Sequence, residues 1–152
     1  MAGCASIAPD SAQAAAYATS VRVERGADSE NSLVRSFGVA PDASTVGVAL
    51  ALNARGVALV DDLFCLESAD GARHVVTLSA PTTDDSALHQ AQFVLLDKAG
   101  AELAILDLEA SAPSASVPLP AHEPVEVRAI LRGDEGAPGD LHFFTIHLDV
   151  DP

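Results

Sequence analysis

Tryptophan is missing from this 152-residue chain, and its whole aromatic complement is one tyrosine and five phenylalanines. Sugar-binding surfaces commonly stack a rigid π-face on the apolar side of a sugar ring. With Tyr17 as its only tyrosine, the chain has little to offer such a ligand beyond hydrogen bonds. Basic residues are scarce as well. Eight Lys and Arg, of which Lys98 is the single lysine, face 22 Asp and Glu, for a formal net charge of -14. Nucleic acid is therefore excluded as a partner, because no basic face can be assembled to displace counterions from phosphates. An anionic membrane surface is disfavoured by the same sign of charge unless a divalent cation bridges. No apolar run approaches the about 20 residues of a membrane-crossing helix, so no transmembrane segment is expected. A Gly-x-Ser-x-Gly elbow, a Gly-rich phosphate loop and a His-Glu-x-x-His pair are all lacking. Serines, histidines and aspartates are present, but an inventory is not a triad. The expectation is a protein that is not an enzyme.

What the chain does have is length enough for one domain with a core of its own. Its residues are 49% hydrophobic. The core is expected to be Val, Leu, Ile and Ala, with Phe37, Phe64, Phe93, Phe143 and Phe144 as its large pieces. The acidic excess reads as a solubility shell, with a cation-binding surface as the sharper alternative.

Two cysteines are present, Cys4 and Cys65. Cys65 sits inside an apolar run, where an inert buried thiol is the usual outcome. A Cys4–Cys65 bridge would pin the amino-terminal segment. The stretch Met1-Ala2-Gly3-Cys4-Ala5-Ser6, followed by the low-complexity run 7–16, resembles the cleavage site and tether of bacterial lipoproteins. It departs from that pattern at Met1, where leucine is usual, and the charged and hydrophobic regions that precede the site in lipoproteins are not in the sequence. The resemblance implies a lipid anchor at Cys4 and an extracytoplasmic location, periplasmic or at the cell surface. Membrane contact is expected only through that anchor. Residues 1–19 are accordingly expected to be a flexible leader or tether, and residues 20–152 the folded domain.

From Ser20 onward, short apolar runs alternate with turn residues. Val21 and Val23 alternate with Arg22 and Glu24, the rhythm of a half-buried strand. Leu33 to Val39 reads as a weaker strand. In Thr45 to Leu52, Val46, Val48, Leu50 and Leu52 share one face while Gly47, Ala49 and Ala51 share the other. After the turn Asn53-Ala54-Arg55-Gly56 the run Val57 to Leu66 returns, and the pair is expected to be a hairpin. His74 to Ser79 is a further strand. Asp84 to Gly100 admits a helix capped by Asp85. The alternative is a hairpin over Phe93 to Leu106, and the recurrence of strands favours it. That hairpin looks like those of bacterial immunoglobulin-like domains, where an aspartate and a glycine bracket the turn. The proline-rich run Ala110 to Pro120 reads as a connection between sheets or an edge strand. Val125, Val127, Ala129 and Leu131 define the next strand, and Phe144, Ile146, Leu148 and Val150 line one face of the last. Strands of this length and number imply an all-β fold, an antiparallel two-sheet sandwich, immunoglobulin-like or related.

The residues that carry chemistry are dispersed. His142 and His147, five apart on one strand, project from opposite faces and do not chelate one ion together. His74, His89 and His122 lie in separate segments, and with Cys65 they would make a copper or zinc site only if the fold gathered them. Asp84, Asp85, Asp134, Glu135, Asp140, Asp149 and Asp151 fall in loops or at strand ends. Calcium needs six to eight oxygens, which sandwich loops can supply. None of these acids follows the spacing of a calcium motif, so solvated turn carboxylates are the expected outcome and no cofactor is assigned. The reading that remains is a non-enzymatic extracytoplasmic binding or structural module, with another protein as its partner. It would act through sandwich loops or a strand edge, Leu33 to Val39 and the segment near Val117 being the candidate edges. A metal-binding sandwich and a small enzyme are the alternatives.

Overall fold

Alternation of period two decides which side chains meet. Val125, Val127, Ala129 and Leu131 are all fully buried in the computed structural model, while Glu126, Arg128 and Ile130 between them remain partly open. The structure describes residues 15–17, 20–27, 32–41, 43–82, 88–133 and 141–151. Among these every regular element is a strand: β1 (Ala15–Tyr17), β2 (Val21–Arg25), β3 (Val34–Val39), β4 (Thr45–Ala51), β5 (Val57–Ser68), β6 (His74–Ser79), β7 (Leu88–Leu96), β8 (Glu102–Asp107), β9 (Ser114–Leu119), β10 (Val125–Gly133) and β11 (Leu141–Asp151).

The strands form two antiparallel sheets, one of order β1-β2-β5-β10-β7-β8 and one of order β3-β4-β11-β6-β9. From β4 onward the chain pairs as one long hairpin bent over itself: β4 with β11, β5 with β10, β6 with β9, and β7 with β8. Each connection along that hairpin crosses between sheets except the turn joining β7 to β8. This is jelly-roll connectivity, a sandwich that shares the layered architecture of immunoglobulin domains but follows a different strand order. Between the sheets, Phe93 meets Phe144 edge-on at 5.7 Å between ring centroids. Phe37 leans on Phe64 at 6.1 Å. Leu50, Leu66, Leu78, Leu95, Leu119 and Ile146 fill the space around them with no exposed surface.

Phe143 departs from the expected core. It is 73% exposed, because on β11 it occupies the outward register between buried His142 and buried Phe144. A second correction concerns β4 and β5, which are not a hairpin but belong to different sheets. The turn between them is as tight as the sequence suggests. Asn53 Oδ1 accepts hydrogen bonds from the backbone N–H groups of Arg55 and Val57 at 2.9 and 3.1 Å. Gly56 supplies the left-handed backbone at φ 75°. Such a turn specifies reversal but not the neighbour. Both flanks of β4 are taken by β3 and β11, so the chain passes to the other layer.

Elsewhere the pattern reads true. The β7–β8 turn has Asp97 Oδ1 accepting from the N–H groups of Ala99 and Ala101, and Gly100 at φ 85°. The proline-rich run enters β9, an edge strand in which Ala115, Val117 and Leu119 point inward. β3 is the opposite edge of the same sheet. β1 lies within the stretch expected to be leader and adds a short strand to the edge of β2.

Candidate interaction surface

The outer face of the five-stranded sheet is built from the residues that alternation turns away from the core. Its register aligns them in rows. Ser36, Ala49 and Phe143 form one, and Gly38, Gly47 and Thr145 the next. A third runs Thr45, His147, Ser79, Ser114. A fourth holds Asp149, Thr77 and Ser116, where the two hydroxyls are hydrogen-bonded at 2.7 Å. Asp151, Val75 and Pro118 close the face at one end. The three rows around Phe143 carry no carboxylate or lysine, and Arg35 is exposed at the β3 bulge beside Ser36. A Cβ placed on either Gly38 or Gly47 would meet nothing within 4 Å, so the cross-strand glycine pair is a shallow open dish. Phe143 stands one diagonal step from it, a separation of about 7–8 Å in an antiparallel pair. Knob and dish lie side by side.

The edges of this sheet are guarded rather than bare. Arg25, at the end of β2, places its guanidinium 5.3 Å from the centroid of the Phe37 ring. It also donates to the Phe37 carbonyl at 3.5 Å. On the other edge, Pro118 removes a donor from β9. Each edge thus carries one feature that disfavours strand addition, and Phe143 is exposed on the face between them.

A polar cluster occupies one end of the sandwich. Asp70 Oδ1 accepts from Ser68 Oγ at 3.0 Å and from the Ala72 N–H at 2.9 Å, and it lies 2.8 Å from His74 Nε2. These partners, His74 foremost and then the Ala72 amide, hold the Asp70 carboxyl at about 2, below its usual 3.8. The Ser68 hydroxyl also donates to the Ala72 carbonyl at 2.6 Å. Serine and histidine both address the aspartate, and no bond between them is present to activate the hydroxyl. The arrangement ties the β5–β6 turn together; it is not a nucleophile relay.

The other sequence candidates do not converge. Asp149 and Asp151 sit two residues apart on the exposed face of β11. Asp84, Asp85, Asp134, Glu135, Asp140 and Cys4 lie outside the described residues. His74 opens β6 and His89 lies near the start of β7, at opposite ends of the sandwich; His142 is buried and His147 exposed on the same strand. Among the described residues no three His, Cys, Asp or Glu side chains gather as they would around a metal ion.

Cys65 is buried as expected, but it is disulfide-bonded rather than an inert thiol. That removes it as a soft metal ligand. It faces outward from the six-stranded sheet, flanked by Glu24 and Glu126. The same face carries Arg22, which pairs with Glu24 at 3.3 Å and with Glu67, and Arg128, paired with Asp61 at 3.1 Å. Phe143 is what sequence reasoning missed. The signal was present, since placing Phe144, Ile146, Leu148 and Val150 inward turns Phe143 outward. No family model matches the chain, and no curated protein aligns with it.

Proposed function

We propose that this protein is a non-enzymatic extracytoplasmic module that works through the outer face of its five-stranded sheet, and that a second copy of the chain occupies that face. The observation that carries the reading is Phe143, a large aromatic side chain 73% exposed on a middle strand, beside an open glycine pair. A knob and a dish adjacent on one surface are what a twofold interface requires, since each copy offers both halves. Charge favours the same partner. Two copies of a chain with net charge -14 repel across most of their surfaces. They approach at least cost where carboxylates are absent, as around Phe143. Five strands about 4.8 Å apart, with about eight residues each at about 3.3 Å, give a face of roughly 600 Å². One partner in a standard interface contributes about 800 Å², so the face is near the size a stable dimer uses. The disulfide at Cys65 supports an oxidising compartment.

Sedimentation velocity over a wide concentration range tests this. The wild type is expected to move from monomer to dimer. Phe143→Ser, which removes the knob, and Gly47→Gln, which fills the dish, are each expected to stay monomeric while keeping a wild-type circular dichroism spectrum. A wild type that remains monomeric throughout would refute the reading, as would variants that dimerise equally well.

A further inference from the structure

We infer that β8, an edge strand of the six-stranded sheet, accepts an added strand from another protein: an extended segment with two alternating aliphatic side chains bracketed by Lys or Arg. Among the described strands β8 is paired with β7 alone, and it ends its sheet. The ladder shows which of its backbone groups are open. The Leu108 N–H donates to the Ala91 carbonyl at 2.9 Å, so these two residues form a hydrogen-bonded pair. Bonded and non-bonded pairs alternate along antiparallel strands. Leu106 opposite Phe93 is therefore bonded, and Ile105 opposite Val94 is not. The N–H and carbonyl of Ile105 point away from β7 toward the free edge, as does the Asp107 N–H. Leu103 and Ile105, two residues apart on the strand, are each 39% exposed. Natural edges are usually guarded by proline, lysine or a bulge. β8 has no proline, lysine or arginine, and the register shift beside it lies at the Glu102 end, clear of Ile105.

Charge decides the occupant. From Glu102 to Glu109 the chain carries the carboxylates Glu102, Asp107 and Glu109 and no Lys or Arg. The register runs Ile105, Val94, Arg128, so that guanidinium stands two strands in, where it is paired with Asp61 at 3.1 Å. A second copy of the chain fits badly. In an antiparallel pair of two β8 strands, Glu102 of each copy falls beside Asp107 of the other, and like charges facing across strands are destabilising. A segment with basic residues at those positions meets both carboxylates, while its aliphatic side chains cover Leu103 and Ile105. Strand addition draws affinity from main-chain hydrogen bonds and specificity from alternate side chains, and β8 offers both. This edge is separate from the face around Phe143, so the two readings stand or fall independently.

Amide exchange followed by NMR tests the inference on the whole protein, with the synthetic peptide acetyl-Thr-Arg-Val-Thr-Val-Arg-Thr-amide as the probe. In the free protein the Ile105 N–H is expected to exchange fast and the Leu106 N–H slowly. The peptide should slow Ile105 at least about tenfold and bind more weakly as salt rises. Ile105→Pro removes the outward donor without touching the bonds to β7, and should weaken binding about tenfold, the scale of one hydrogen bond left unmade. Should that variant lose its wild-type circular dichroism spectrum, Ile105→Lys, which sets a cation against the peptide, is expected to weaken binding equally. An Ile105 amide already protected in the free protein would overturn the inference, as would protection gained by raising the protein concentration alone. Equal binding by a peptide of the same composition with its two valines adjacent, or by the variants, would overturn it too.

Discussion

The two outer faces of this sandwich solve one problem in opposite ways. A strand with one side in the core must do something with the other, and water-facing sheets usually take charge and length. The six-stranded sheet does so, with Arg22, Glu24 and Glu67 in one ion-paired group and Arg128 with Asp61 in another. It also buries Cys65, which is disulfide-bonded. The five-stranded sheet carries glycine, alanine, serine and threonine in its central rows, and one exposed phenylalanine. In a chain with 22 acidic residues, that bareness sets the face apart. Charge on one layer keeps the molecule apart from others, and the lack of carboxylates around Phe143 on the second layer leaves a place to meet.

The sharpest way to break this comparison uses adjacent phenylalanines. Phe144 points inward onto Phe93, and Phe143 points to solvent. Phe144→Ala should cost about 3–5 kcal/mol of stability, the usual penalty for emptying a core aromatic site. Phe143→Ala should leave monomer stability within about 0.5 kcal/mol, as surface changes do. Urea denaturation at low protein concentration measures both. A large loss in Phe143→Ala would mean that the ring is part of the fold rather than a contact.

Next in size is the disulfide at Cys65. Removing a native disulfide from a small domain typically costs about 2–5 kcal/mol. Cys65→Ser should lose an amount in that range in the same denaturation experiment. A loss near zero would mean that the bond adds little to the fold. The opposing sheet provides the control, since Gly47→Gln should change nothing.

How much of this was legible beforehand depends on the range of the signal. Period-two alternation is local, and it located the strands around Val46, Val127 and Ile146 as well as the turn at Asp97 and Gly100. Proline marked β9 as an edge for a reason written in its own chemistry. The neighbour of β4 was not legible, because Asn53 and Gly56 fix a reversal while the pairing is decided by β11, whose first residue is some 90 positions away, far beyond the few residues a turn controls. The sequence leaves the disulfide as one outcome for its two cysteines, since spacing along a chain says nothing about distance across a sheet. The candidate face was half visible. Gly47, Ala49 and Ala51 were recognised as the small side of β4, but that Phe143 rises beside them follows only once β11 lies against β4 in register.

Salt sharpens the contrast between the faces. Screening shortens the reach of charge from about 30 Å at 0.01 M ionic strength to about 3 Å at 1 M. Association through the carboxylate-free patch around Phe143 of an acidic protein should therefore tighten several-fold over that range, read as a shift in the monomer–dimer midpoint. Weakening with salt would point to an ionic interface and away from Phe143. On the other sheet, Arg128→Gln should cost under about 1 kcal/mol, because Asp61, its partner, is largely open to solvent.

The smallest expected effect separates the end of the sandwich from both faces. Asp70 titrates at about 2 in the folded chain against 3.8 for the free side chain, chiefly through His74 and the Ala72 amide. A carboxyl whose pKa is depressed by folding stabilises the fold above its unfolded value, and that contribution disappears as pH falls through the folded one. Asp70 should thus add stability at pH 5 and above, with the benefit fading between about pH 4 and pH 2. Asp70→Asn keeps an acceptor for Ser68 and the Ala72 amide but removes the charge that His74 faces. Its stability should lie below wild type at pH 5–6 and converge with it toward pH 2. Acid titration followed by circular dichroism of both proteins reads the difference. A constant offset across that window would assign the cluster to hydrogen bonding alone, whereas convergence ties the β5–β6 turn to the charge on Asp70.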